Sequence, residues 1–324
     1  MNTADSAALP QPDENALRRL GKMYAFSRVR YAFLLLIPLL WAFAIWTVGE
    51  NPSGLEIGFV IGWLFVVLFG VGAWVFLLIP EKEEIKRKYV SHVLPFLFRD
   101  QGLTVDYYPS HDLQMRTFLQ SGLYHDDYQT MLREDCIQGS AAKMKFSMYQ
   151  VAVQIAGSIT GKYGNSVRTA TNQFYGWAIH CIIPAMHGTH VILPRGRKTR
   201  NESDDWLEKV NERWWDNPKC AATPTGDAVF DACFTVYTDD PQTFFRVVTK
   251  DFREFLLYLI NTAENSFAIN IHGNVFALHI GHHHPTFRHC PNGDFVTDYD
   301  PELLTEVKWF ADLIKGVQKF MLKP

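Results

Sequence analysis

The stretch GHHHPTFRHC, Gly281 to Cys290, carries four histidines and a cysteine within ten residues. Imidazole and thiolate are ordinary ligands of zinc, which takes three or four of them at about 2.0 to 2.3 Å. His282, His284, His289 and Cys290 would therefore make a metal site, with zinc as the ion, if the loop folds back on itself. Their spacing fits neither a zinc finger nor the HExxH pair of a metalloprotease helix. Adjacent histidines suit an exposed polar loop equally well, and that is the expectation taken forward. A hairpin turning at Gly273 and Asn274 would pair His272 with Val275 and set His279 opposite Ala268. His272 and His279 would then stand roughly 13 Å apart, too far to share an ion.

The acidic groups are next. Asp126, Asp127, Glu134 and Asp135 have the pairing that general acid–base work or Mg²⁺ binding needs. Acids beside a hairpin more often cap turns or face water, and that role is expected of them. Asp239 and Asp240, directly before Pro241, have the residue types of a helix N-cap. GSITGKYG resembles a phosphate loop only superficially, because Gly157 and Gly161 are too close together and Tyr163 replaces the hydroxyl residue. The sequence contains no GxSxG elbow and no dinucleotide fingerprint. The five cysteines are scattered and form no CxxC pair, so neither a disulfide framework nor a zinc ribbon is expected. A net charge of -3 without a broad basic stripe argues against nucleic acid as a partner. No catalytic residue and no cofactor are assigned on this basis.

The elements that must position these residues begin with two uncharged stretches, 31–48 and 57–79. Each approaches the roughly 20 residues that a helix needs to cross a hydrocarbon core of about 30 Å. Trp41, Trp46, Trp63 and Trp74 add the aromatic content of membrane spans. Arg18, Arg19, Lys22, Arg28 and Arg30 precede the first stretch, and Lys82, Lys86, Arg87 and Lys88 follow the second. The connecting GENPSGLE has two glutamates and no base, so both termini are expected on the cytoplasmic side. These nine bases are also the natural neighbours of anionic head groups. Gly58 and Gly62 offer a small-residue face for close approach of the two helices.

The expected organisation is a polar tail over 1–30, a transmembrane helical hairpin over 31–79, a connecting helix over 80–101 and a cytoplasmic α+β domain over 102–324. In the connecting helix Glu83 and Arg87, then Glu84 and Lys88, are spaced for i,i+4 ion pairs, and Pro95 is expected to kink or end it. Beyond it, short strands are expected: a hairpin turning at Gly139, a long exposed loop over Ser158 to Gln173, and two runs around Pro184 to Gly188. A short helix is expected around Trp206, Trp214 and Trp215. CFTVYTDD has the pattern of a strand, followed by one long helix whose apolar stripe runs from Phe244 to Ile260. Leu303 to Met321 has the spacing of a closing amphipathic helix.

This order of features resembles the bacterial membrane-protein family DUF3137. The residues that carry the resemblance are SGLYHDDYQTMLREDCIQG with KMKFSMYQV, the FYGW…THVILPR pair, FTVYTDDPQTFFRVVTKDFREFLLYLI and SFAINIHGNVFALHIG. They extend over about Glu81 to Lys319. The resemblance implies two membrane helices ahead of a cytoplasmic mixed domain, and it brings no established activity. The sequence therefore predicts a multi-pass protein of the bacterial inner membrane, mostly antiparallel α+β outside the bilayer. It is expected to be a binding or scaffold protein rather than an enzyme, engaging membrane lipid or a protein partner of unknown identity. Self-association would let two spans build a pore. The alternative is a membrane-tethered metal-dependent hydrolase that uses the 282–290 loop.

Overall fold

The computed structural model of the chain describes residues 12–25, 27, 62, 82–109, 118, 121–123, 130–160, 166–195, 205–215, 217–262, 267–281, 287, 291, 294–296 and 298–322. They divide into two compact units, one of residues 1–96 with 287–304 and one of 97–286 with 305–324. The stretches 31–48 and 57–79 lie outside the described residues apart from Gly62. Among the described residues no helix is long and apolar enough to cross a membrane.

In the first unit, residues 14–25 form helix α1. Asp13 starts it, its carboxylate accepting the N–H groups of Asn15 and Ala16 at 3.0 and 3.2 Å. Leu17, Leu20 and Tyr24 recur at helical spacing and are buried. Helix α2, Lys82–Asp100, buries Ile85, Tyr89 and Val93 by the same rule. Pro95 does not end it. The stop comes at Gly102, whose φ of +75° is a left-handed conformation that favours glycine. There the Leu103 N–H reaches back to the Phe98 carbonyl at 3.0 Å and the Gly102 N–H to Arg99 at 2.7 Å.

The second unit is built on a seven-stranded antiparallel sheet: β1 Thr104–Pro109, β2 Thr130–Ala141, β3 Met144–Thr160, β4 Ser166–Pro194, β5 Ala221–Ala222, β6 Phe234–Thr238 and β7 Phe267–Gly281. The strand order is β1-β2-β3-β4-β6-β5, with β7 also paired to β4. β4 is the spine. Along one edge it pairs first with β3, through Cys181, and then with β6 from His190 onward. β7 runs along its other edge, from Gly176↔Gly281 to Ile192↔Ile269. The helices are α3 Asp205–Trp215, α4 Ala228–Cys233, α5 Pro241–Val247, α6 Lys250–Thr262 and α7 Pro301–Met321. The α+β class with a mostly antiparallel sheet is as the sequence predicts.

Several local expectations are corrected. The β2–β3 hairpin turns at Ala142 and Lys143, because Ala141 pairs with Met144, while Gly139 sits inside β2 opposite Phe146. A side chain at 139 would collide with the Thr104 carbonyl and with Val105, so that glycine serves strand packing rather than a turn. The segment expected as an exposed loop is instead largely hairpin: Gln154 to Thr160 pair with Asn172 to Ser166. No hairpin forms at Gly273. β7 passes straight through it, and Gly273, with φ +58°, lies across from Met186 where the β4 register shifts. The runs flanking Pro184 likewise belong to one strand. The long helix is broken at Val248, and Thr249 restarts it by accepting the Phe252 N–H at 3.4 Å.

Both faces of the sheet centre are covered. Trp177 is fully buried, edge-on to Phe310 of α7 at 5.6 Å. On the opposite face Trp206, Val210 and Trp214, four residues apart on α3, join a core with Val151, Val153, Phe174 and Ala178. Gly176 pairs with Gly281 at the end of the β4–β7 ladder. A Cβ there would collide with the Ile280 carbonyl oxygen and come to 3.0 Å from Gly281 Cα. Paired backbone yields little, so Gly176→Ala is expected to cost about 2 to 3 kcal/mol. A denaturant midpoint equal to that of the parent chain would refute this.

Candidate functional site

α1 and α2 pack side by side in opposite directions. Tyr24, near the end of α1, lies under the Lys82 ammonium at the start of α2, 5.4 Å from ring centre to nitrogen. Asp13, Asn15, Ala16, Arg19 and Leu20, from the other end of α1, share a cleft of about 440 Å³ with Lys88 and His92. Phe295 seals the pair, its ring 5.5 Å from Tyr24 and 4.9 Å from Tyr89. Residues 26–81 therefore leave and return at the same end of this helix pair.

Of the nine bases singled out in the sequence, Arg28 and Arg30 lie outside the described residues. Three of the others are held by glutamates on their own helix: Arg18 by Glu14 at 3.7 Å, Lys86 by Glu83 at 3.1 Å and Lys88 by Glu84 at 2.7 Å. Glu83 thus pairs with Lys86 and not with Arg87 as the spacing predicts. Exposed pairs of this kind contribute only a few tenths of a kcal/mol, and they reduce the charge offered to a partner. Arg19 and Lys22 make no ion pair among the described residues and are exposed. Lys22 and Lys82 stand nearest the end where the chain leaves. Lys88 lies six residues further along α2, about 9 Å at 1.5 Å per residue. That is one Debye length at physiological salt, so Lys22 and Lys82 are the better placed for a charged surface beyond that end.

A second concentration of chemistry lies inside the sheet. His180 of β4 and His279 of β7 are buried on the face that carries Ala178. Their rings stack with centroids 5.7 Å apart, and their Nε2 atoms face each other at 3.4 Å. Tyr149 flanks His180 at 6.1 Å, and Phe118 and Phe174 flank His279 at 5.0 and 5.7 Å. Burial among apolar rings pushes His180 down to about 4, and burial followed by the neighbouring His180 drives His279 well below the usual imidazole range. Both rings are neutral at physiological pH. The sequence reading missed this pair. His180 stands in an apolar strand run, 99 positions from its partner, and no local spacing links them. His272, in turn, is bonded to the Thr189 hydroxyl at 3.0 Å.

His190 is buried with a different arrangement. Its Nε2 lies 3.0 Å from the His187 carbonyl, which only accepts, so that nitrogen carries the proton. Its Nδ1 then accepts from the Thr238 hydroxyl at 2.7 Å, and Thr238 Oγ1 accepts the Asp240 N–H at 3.0 Å. Burial lowers the affinity of His190 for a second proton. Asp240 caps α5, taking the Thr243 N–H and hydroxyl, and these bonds hold its carboxyl below the usual range. Asp239 is no cap. It accepts the Thr189 N–H at 2.7 Å and ties β6 to β4 just past Gly188. The polar groups of this corner satisfy one another, which is structural work.

The metal candidates His282, His284, His289 and Cys290 lie outside the described residues, as do Asp126 and Asp127. Glu134 is in β2, and Asp135 is buried at the bulge between Arg133 and Cys136 rather than facing water or capping a turn. Among the described residues no three His, Cys, Asp or Glu side chains converge as a metal would require. Burial pushes the Cys136 thiol up to about 12 and raises Cys181 and Cys220 as well, so these are packing thiols and not nucleophiles.

No family model and no curated protein matches the chain. Among solved structures it is similar to the mycobacterial trehalose monomycolate transport factor A, with 13% sequence identity over 72% of this chain and 97% of that one. The TM-score of 0.27 is too low for that likeness to carry an argument.

Proposed function

We propose that the chain is a membrane-anchored binding or scaffold protein of the bacterial inner membrane, with 31–48 and 57–79 as its two spans and both termini in the cytoplasm. The observation that carries this reading is the antiparallel pairing of α1 with α2. Two helices that flank 26–81 and open at one end are what a membrane hairpin requires at its base. The uncharged composition of the two stretches, the bases beside them and the resemblance to DUF3137 support it. Lys22 and Lys82, at the open end, would meet anionic head groups, each worth about 1 kcal/mol near such a surface. The remaining domain would engage a protein partner or lipid. The neutral, mutually satisfied histidines and the protonated thiols favour binding over catalysis.

The full chain is expected to stay with membranes through alkaline carbonate washing and to leave only with detergent. A reporter fused after Pro324 is expected to be active only when it requires the cytoplasm. Release without detergent, or a reporter active only outside the cytoplasm, would overturn the proposal.

A further inference from the structure

We infer that the cleft between α1 and α2 is a binding site for a small, soluble phosphomonoester. Its volume of about 440 Å³ exceeds what inorganic phosphate fills and lies within the roughly 300 to 1,000 Å³ of small-ligand sites. Its walls carry three nitrogen-bearing side chains from two helices: Arg19 of α1, and Lys88 and His92 of α2. Lys88 and His92 are four positions apart, so they share one face of α2, about 6 Å apart along its axis. The guanidinium of Arg19 offers a planar fork of N–H donors, Lys88 a point charge and His92 a ring N–H. A carboxylate has two oxygens, which the fork alone satisfies. Three donor groups on separate side chains match the three terminal oxygens of a phosphate ester.

The charges around the cleft favour an anion. Asp13 is the one acid among the described residues that line it, and its carboxylate is already engaged by the N–H groups of Asn15 and Ala16. Lys88 is held by Glu84 at 2.7 Å, an exposed contact weak enough for a doubly charged ester to displace. The cleft lies at the N-terminal end of α1, where the helix dipole also stabilises negative charge. Its apolar lining is Ala16 and Leu20, and no aromatic ring lines it among the described residues, so nothing there stacks on a nucleobase. The organic part is therefore polar, as in a phosphorylated sugar or polyol. Lys88 stands about 9 Å along α2 from Lys82, away from the end that meets the bilayer in the membrane reading above. The choice of a soluble ester over a lipid head group rests on that reading, whereas the anion site itself does not.

The test titrates the full chain, purified in detergent, with glycerol 3-phosphate by isothermal calorimetry, with glycerol as the uncharged control. One ester per chain with a Kd of about 1 mM or tighter is expected, and no binding of glycerol. Arg19→Gln should weaken the ester at least about tenfold, the loss of one charged hydrogen-bonding group. Ala16→Leu, which fills the cleft and leaves every charge in place, should weaken it as much, both variants being checked for an intact fold by circular dichroism. Arg18→Gln removes an equal charge from the adjacent position, held by Glu14 and outside this cleft, and should change the affinity less than about twofold. Phosphatidic acid, a lipid phosphomonoester, should not displace the soluble ester when added to the micelles. Absence of saturable ester binding, equal binding of glycerol, equal losses in Arg18→Gln and Arg19→Gln, unchanged affinity in the folded Arg19→Gln or Ala16→Leu protein, or displacement by phosphatidic acid would each overturn the assignment.

Discussion

As the pH falls from 6.5 to about 4, the protein is expected to lose about 3 kcal/mol of stability through His180 alone. Above 6.5 the imidazole is neutral in both the native and the unfolded chain, and the contribution of burying it is fully present. Below 6.5 the unfolded chain takes up a proton that the native core refuses, so stability falls by up to about 1.4 kcal/mol per pH unit. Near 4 the native ring protonates as well and the loss levels off. His279, shifted in the same direction, adds to the loss and carries it to lower pH. Two charged imidazoles facing each other at 3.4 Å among aromatic rings would repel strongly, which deepens the effect. Urea midpoints measured across this range give the slope. His180→Phe keeps a ring in the stack and should flatten it, and a slope unchanged by that substitution would disprove the assignment.

This pair also shows why part of the molecule is legible in the sequence and part is not. Helical faces are local: Leu17, Leu20 and Tyr24, or Phe252, Leu256 and Ile260, announce their burial by spacing within one element. The break at Val248 has a local signal too, since Thr249 is a capping residue followed by the acidic first turn of α6. The central strands mislead because turn-like residues lie inside continuous strands, where the irregularity of β4 is accommodated against β7. Gly273 and Asn274 between alternating apolar runs have hairpin chemistry, and Pro184 with Gly188 has turn chemistry. In the fold the two sites face each other across the β4–β7 ladder, where β4 takes the extra residues: Ile182 to Thr189 spans the same stretch as Val275 to His272. Neither stretch alone carries that information. The Ser158 to Gln173 segment misleads differently, because its Gly, Ser and Asn content obscures the β-branched alternation of Val167, Thr169 and Thr171 that pairs with β3. The His180–His279 contact depends on register between distant strands and is hidden for the same reason.

Trp206→Ala is expected to have the largest effect on stability of any single replacement in α3, about 3 to 5 kcal/mol. The sequence around it is highly charged and gives little sign that the helix matters to the core. Yet Trp206 is 2% exposed, edge-on to Phe174 at 5.0 Å, and aligned with Val210 and Trp214 along one buried face. Truncation would leave a cavity beside β4 and β7 that the paired backbone does not close, and it would uncover Phe174, which flanks His279 at 5.7 Å. Trp215, at 72% exposed on the same helix, supplies the internal control: Trp215→Ala should stay within about 0.5 kcal/mol of the parent. Gly281 gives a second handle. A Cβ there would stand 2.8 Å from Trp206 Nε1, so Gly281→Ala must displace the indole. If so, its cost should fall when Trp206 is already alanine, and the double variant should be more stable than the two separate losses predict. Strict additivity in that cycle would mean that the indole does not rest on Gly281, and equal effects at 206 and 215 would mean that α3 is not seated on the sheet.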